Sequence, residues 1–501
     1  MIGRNPISDL EAIAAMPGLE ALAETMLEFD PPTRKRRGDP MSLLILTAAR
    51  WTFDSMNEVE SALLTTSLWE AVRASAARGG RELPEEPPSS GQLRHFRARA
   101  DDGLIDAMSE TFSRLAVDLA QQAGLLDPAA TLQPDRLDRT NLIYGDGSQF
   151  RPLSDVYEDE DGVVHGSRAK PDPVTGEIRP RIATQFVGKD RDRGLPIVLV
   201  GTHGGLRWQR AVLAVRLYRD GNEIGAAMDA FERVIDLARG GVHGVNYDML
   251  MAGTFQRNLM RLGVVPVVEM PQAATNHPHL VLPDELRKVR GKGENSARRK
   301  RSGKGRRRRS DDQPDVKSRV QLRNFDCVTH RVNGVDCEHL LWAADGSVLV
   351  TGLDVQPSMD SPLAERIRLE RTGNGQQGYG LQGWFRIPCR AEELLHVIDF
   401  AADRPGKNRN GQPRALADWL RPIPEADIDF ARLAGYRNDA ESAYATLKRE
   451  LPHNGRASAL DADRFALDVI GGGMWQNAVL WDVHVAQHTR CGKRNAEQVY
   501  R

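Results

Sequence analysis

Residues 435–449, GYRNDAESAYATLKR, set charges at helical spacing. Arg437 precedes Glu441 by four residues and Lys448 follows it by seven. Those intervals return to one side of an α-helix, so Arg, Glu and Lys would line one face, with Tyr444 and Leu447 beside them for packing. A carboxylate between two cations keeps its charge at neutral pH. Such a face could hold a metal ion against a phosphate. A surface ladder of ion pairs has the same spacing, and for this helix alone it is the plainer reading. Two further acids bear on the choice. Asp146 ends the apolar run of NLIYGDGSQF, and Asp248 ends GVHGVNYD. Each has an ordinary reading as well. Gly145-Asp146-Gly147 has the composition of a turn, and Asp248 could cap a following helix.

The elements that must position these acids follow from hydrophobic periodicity. NLIYGDGSQF, IATQFVGK, LPIVLVGTHGG and RAVLAVRLYRDG read as strands, broken by a polar excursion after the first. Residues 222–239 read as an amphipathic helix. GVHGVNYD is the next strand, MAGTFQRNLMRLG a helix, and VVPVVEM a further strand. Strands, helix, strand, helix, strand predict a mixed α/β sheet. IATQFVGK is surplus, pairing beside the hairpin or belonging to the excursion. The order fits a ribonuclease-H-like mixed sheet. There the first strand is central and neighbours the strand after the first helix, so Asp146 and Asp248 would share one sheet edge.

Length and composition bound the rest. A chain of 501 residues is too long for one core. Its 40% apolar and 27% charged residues describe a water-soluble globular chain. No apolar run approaches the ~20 residues of a membrane span, and the first residues lack a cationic leader followed by an apolar core. Four cysteines make no disulfide framework, which points to a reducing compartment. The net charge of −1 hides an asymmetry: residues 287–309 hold 13 Lys or Arg and one acid, Glu294, leaving −13 elsewhere. Such a block cannot bury anything, so it is a strap for a phosphate backbone or a solvated linker. Its charge exceeds what solubility asks for, which favours the strap, with Arg306, Arg307, Arg308 and Arg309 its densest part.

Residues 9–30, 41–52 and 56–78 read as helices, and 101–126 as a longer one. Between them, GQLRHFRARA reads as a short basic helix capped by Ser89 or Ser90. Arg94 and Arg97 on that helix could dock on DNA in a helix-turn-helix manner; a plain helical bundle explains the pattern equally. Residues 320–388 are β-rich, with hairpin turns at Asn333-Gly334 and Asp345-Gly346. Cys327, His330, Cys337, His339 and Cys389 lie in or beside that region. Cys-x2-His and Cys-x-His can chelate, but the second spacing is unusual for zinc, and a bare strand face is the favoured reading. The tail reads as helix over 459–470, a break at Gly471-Gly472-Gly473, and helix again over 474–488.

Together, YGDGSQF, LPIVLVGTHGG, GVNYDMLMAGTFQRNLMRLGVVPVV and RNDAESAYATLKREL resemble the DDE transposases of bacterial insertion sequences. The likeness is to the branch with a β-rich insertion before the last acid. Arg437, Glu441 and Lys448 keep the Arg-x3-Glu-x6-Lys part of its signature, while Ala434 stands where a Tyr is expected. The resemblance covers roughly residues 140–270 and 430–490. It implies a helical, DNA-binding region over 1–130 and the first part of a catalytic core over 138–272. A basic linker over 273–319, a β-rich insertion over 320–395 and a helical end of the core over 425–501 follow. It also implies Mg2+ or Mn2+ on three carboxylates, Asp146 bridging two ions, with Asp248 on one and Glu441 on the other. Lys448 and Arg437 would grip phosphates. Trp342 or Trp384 could stack a flipped base, or be core tryptophans. The expected activity is cleavage at element ends and strand transfer into target DNA. The partners would be double-stranded DNA and a second copy of the chain, without a membrane, in the nucleoid-associated cytoplasm of a bacterium. An inactive DNA-binding remnant and a nuclease without strand transfer remain as alternatives.

Overall fold

A computed structural model describes residues 6–29, 38–51, 56–63, 66–150, 156–158, 164–166, 185–187, 192–204, 209–218, 222–248, 251, 253–270, 279–281, 319–344, 346–357, 361–374, 378–389, 393–407, 413–450, 457 and 462–499. The fold is α/β, with parallel and antiparallel strand pairs and many helices. The first seven helices are α1 (Pro6–Ala15), α2 (Leu19–Phe29), α3 (Pro40–Ala49), α4 (Met56–Leu63), α5 (Thr66–Arg78), α6 (Ser90–Arg97) and α7 (Asp102–Gln122). Strands β1 (Leu142–Phe150), β2 (Val156–Glu158), β3 (Val164–Gly166), β4 (Gln185–Val187), β5 (Asp192–Thr202) and β6 (Val212–Leu217) follow. Next come α8 (Glu223–Leu237), β7 (Gly244–Tyr247), α9 (Thr254–Arg261), β8 (Val265–Val268) and β9 (His279–Val281). The β-rich part is β10 (Arg319–Val332), β11 (Val335–Ala344), β12 (Ser347–Gly352), β13 (Glu365–Asn374), β14 (Gly378–Ile387), β15 (Leu394–Asp399), β16 (Asp403–Lys407) and β17 (Pro413–Ala415). Helices α10 (Ile428–Gly435), α11 (Asn438–Glu450) and α12 (Ala462–Val499) close the chain. Among the described residues, no helix is long and apolar enough to cross a membrane.

The chain divides into two compact units. The first comprises residues 1–130, 139–242 and 438–501. Its sheet centres on β5, which pairs antiparallel with β1 and β6. β4 also pairs with β5, so IATQFVGK does contribute a strand beside the hairpin. Helix α8 covers one face, where the Phe231 ring leaves no room for a Cβ at Gly145 and the Glu223 side chain lies against Gly147. Helix α11 covers the other face. Helix α12 runs beside β6, where Asn477 pairs with a strand backbone. Its Nδ2 donates to Val212 O at 2.9 Å, and its Oδ1 accepts from Val212 N at 2.9 Å.

Two helical expectations need correction. Residues 9–30 are two helices, separated at Pro17-Gly18 where Gly18 takes φ 81°, a conformation a helix cannot contain. The three glycines at 471–473 do not break the tail. They lie inside α12, at its contacts with Thr47 of α3, with Trp51 two residues beyond α3, and with Phe112 of α7. A Cβ on Gly471 would meet Thr47 O at 2.7 Å, one on Gly472 the Trp51 ring at 2.7 Å, and one on Gly473 the Phe112 ring at 2.6 Å. Glycine costs a helix about 1 kcal/mol relative to alanine, and here close packing offsets it. Asp468, one turn earlier, is buried between the guanidinium groups of Arg50 and Arg97, and its carbonyl accepts from Trp51 Nε1 at 2.7 Å.

The second unit comprises residues 131–138 and 243–437. β7 and β8 pair in parallel, with α9 as the crossover. The β-rich part forms one sheet in the order β12-β11-β10-β9 and another in the order β13-β14-β15. Asn333 and Gly334 take φ 51° and 83° between Val332 and Val335, the two-residue hairpin turn expected of Asn-Gly. Asn246, on β7, is buried and donates from Nδ2 to Leu433 O of α10 at 2.6 Å.

The glycine contacts on α12 yield a stability test. Gly472→Leu should lower unfolding free energy by about 1–3 kcal/mol, because its side chain must displace Trp51. Gly91→Ala, in α6 with Ser89 Oγ its nearest neighbour at 3.7 Å, should not destabilise and should gain up to about 1 kcal/mol. Denaturant titration of both variants measures the contrast, and equal stability would remove the close-approach role.

Candidate active site

Asp146 lies inside β1, opposite Leu199 of β5, and not in a turn. Alternation along the strand puts Gly145 and Gly147 toward α8 and puts Tyr144, Asp146, Ser148 and Phe150 on the opposite face. Asp146 is half-buried there. That face meets α11, although α11 lies some 300 residues further along the chain. The Tyr444 hydroxyl reaches the β1–β5 ladder at the level of Asp146. It accepts from Leu199 N at 2.9 Å, and its one hydrogen faces Asp146 O at 2.6 Å and Ile197 O at 3.0 Å. One turn later, Lys448 Nζ donates to Ser148 Oγ at 2.8 Å and sits 5.2 Å from the Phe150 ring centre. Burial pushes the Lys448 ammonium below the ordinary lysine range, against the opposing pull of Asp146.

The start of α11 is fixed by an acid that sequence patterning did not single out. Asp439 is buried. Its Oδ2 lies 2.8 Å from Arg139 Nη2 and 3.0 Å from His203 Nδ1, and its Oδ1 lies 2.6 Å from Arg210 Nη2. Burial pushes the Asp439 carboxyl up, but the hydrogen bonds from His203 and Arg139 and the charge of Arg210 hold it below the ordinary aspartate range. Burial lowers His203 by more than Asp439 raises it, so the imidazole is held neutral. No local pattern marks this cluster, because Arg139, His203 and Arg210 come from three separate stretches.

Glu441, two residues on, is exposed, and its carboxylate has no hydrogen-bond or ion-pair partner among the described residues. The ion-pair ladder that the spacing allowed is therefore not formed. Lys448 turns to Ser148 instead. Arg437 precedes the helix in a turn, and its Nη1 lies 3.9 Å from Glu269 Oε2. Glu441, Tyr444 and Lys448 share one helical face at intervals of three and four. Neither Asp146 nor Glu441 belongs to a close-set group of metal-ligand side chains among the described residues.

In the second unit, Asp248 follows β7 directly and is half-buried. It is not the cap of α9, which begins after Gly253 with no side-chain cap. Trp342 is part-buried against Ala344, Leu349 and Leu363, and its Nε1 donates to Thr351 Oγ1 at 3.0 Å. Trp384 carries the Arg368 guanidinium 4.4 Å from its ring centre, and its Nε1 donates to Glu370 Oε2 at 3.2 Å. Of the other expected DNA contacts, Arg94 is exposed and donates to Ser90 Oγ at 2.9 Å. Arg97 turns inward to Asp468. Ser89 caps that helix, with Gln92 completing a capping box. Arg306, Arg307, Arg308 and Arg309 lie outside the described residues.

No protein-family profile and no curated protein matches the chain.

The His203–Asp439 contact predicts a pH dependence. Both groups have folded values below their unfolded ones, so the stability they contribute is present at neutral pH and lost on acidification. The loss begins below the unfolded histidine value of about 6.5 and continues through the aspartate range below about 3.9. Melting followed from pH 7 to pH 5 should show a falling midpoint, with a shallower fall in His203→Gln. An unchanged slope in that variant would remove His203 from the account.

Proposed function

We propose that this chain is a DNA transposase that cleaves phosphodiesters at element ends and joins them to target DNA with three carboxylates, Asp146, Asp248 and Glu441. The observation that carries this reading is the packing of α11 on β1. The helix that bears Glu441 and Lys448 lies against the strand that bears Asp146, anchored by Tyr444 at that residue's own carbonyl. The extended conformation of Asp146 and the separate start of α9 also take away the turn and cap explanations for two of the acids. The alternation of strands and helices in residues 142–268 is compatible with a ribonuclease-H-like core, which is the fold we assign to it.

The donor set is all oxygen, which suits Mg2+ or Mn2+ better than a softer ion. Asp146, Asp248 and Glu441 would hold the ions, which when bound supply activation of the attacking oxygen and stabilisation of the leaving one. The chain's own cations do the positioning. Lys448 brings a partly desolvated ammonium to the β1 face, where a phosphate oxygen could replace Ser148 as its partner. Arg437 supplies a fork suited to a second phosphate oxygen. Exposed Arg94 and the basic run over 287–309 supply sequence-independent attraction to the DNA backbone.

Cleavage of a labelled duplex carrying the element's flanking ends tests the assignment. Wild type should cut in Mg2+ or Mn2+ and form strand-transfer products. Asp146→Asn and Glu441→Gln should lose at least ~100-fold in rate while still binding the duplex. Hydrolysis without joined products would instead mark a nuclease. Binding without cleavage by wild type would mark a DNA-binding remnant, and equal cleavage by Glu441→Gln would return that residue to the surface.

A further inference from the structure

The second unit holds a cluster that the proposed DNA chemistry does not use. His330 and Cys337 are directly opposed across the β10–β11 pair. Cys389 arrives from a different sheet, two residues beyond the end of β14. The ligand atoms of His330, Cys337 and Cys389 all lie within 4.8 Å of one another. Donors about 2.0–2.3 Å from a tetrahedral ion are roughly 3.3–3.8 Å apart. The three therefore need to close by no more than about 1.5 Å to share one ion.

His330 supplies a second, independent observation. Both of its ring nitrogens are buried and have no hydrogen-bond partner among the described residues. A neutral imidazole has one donor and one acceptor, and leaving both unmet is costly. His339 stacks on it, with ring centres 5.5 Å apart and planes 13° from parallel, and its Nε2 is buried without a partner too.

We infer that His330, Cys337 and Cys389 ligate a structural Zn2+ ion, clipping the β10–β11 hairpin to the chain leaving β14. Two sulfurs and an imidazole suit zinc and exclude Mg2+, so this centre is separate from the carboxylates and does not rest on their role. Cys327 is exposed and lies outside the cluster.

The full chain, purified under reducing conditions without chelator, should contain stoichiometric zinc by atomic emission. Replacing zinc with Co2+ should give the intense near-ultraviolet thiolate-to-cobalt absorption. Cys337→Ser and Cys389→Ser should lose the metal and weaken that absorption, whereas Cys327→Ser should keep both. Should the cysteine variants fail to fold, wild type gives the answer by alkylation. Cys327 should react at once, and Cys337 and Cys389 only after zinc is stripped. Zinc-free protein that shows no thiolate absorption with Co2+, or cysteines equally reactive before and after chelation, would overturn the site.

Discussion

A buried carboxylate stays charged only if the protein supplies what water would have supplied. Asp439 meets that demand with two guanidinium groups and a neutral imidazole. Arg139 precedes β1, His203 follows β5, and Arg210 precedes β6, so three parts of the sheet converge on the first turn of α11. The second turn is held by Tyr444 at the ladder and the third by Lys448 at Ser148. From Asp439 to Lys448 the helix covers about 14 Å, with an anchor in every turn. Glu441 makes none of these contacts. Its place on the helix is set by the residues around it, and its carboxylate is exposed.

The same logic of satisfied burial joins the N-terminal helices to the end of the chain. Asp468 on α12 takes Arg50, just beyond α3, and Arg97 from α6. The short basic helix therefore spends one of its arginines on the interior and presents Arg94 outward. A count of positive residues overstates the charge that α6 can offer to a nucleic acid.

Features whose causes are local were legible in the sequence. The Asn333-Gly334 turn needs two residues with positive φ, and the Ser89 cap needs an oxygen before a helix. Both requirements are met by the residue types themselves. The strand over Asp146 and the helix over Glu441 followed from periodicity. What could not be read depends on what lies opposite. Gly471-Gly472-Gly473 is a helix breaker in isolation and a packing surface when Thr47, Trp51 and Phe112 face it. Asp439 looks like an ordinary first-turn acid until residues hundreds of positions away meet it. Arg437 has the right interval to join the Glu441 face, yet the helix starts one residue too late for that interval to apply. Cys389 is 52 positions from Cys337, so no chelating spacing could connect them.

β6 pairs on one side with β5, and a strand in that position ordinarily shows its remaining backbone groups to any passing chain. At Val212 both groups are already engaged by the Asn477 amide, which mimics the peptide of an adjoining strand. A newcomer would have to evict a buried helix residue before it could add to the sheet there. The closing helix thus acts as a guard against aggregation, and a chain in which residues 462–499 had not yet docked would expose the sheet at the point where it is most easily extended.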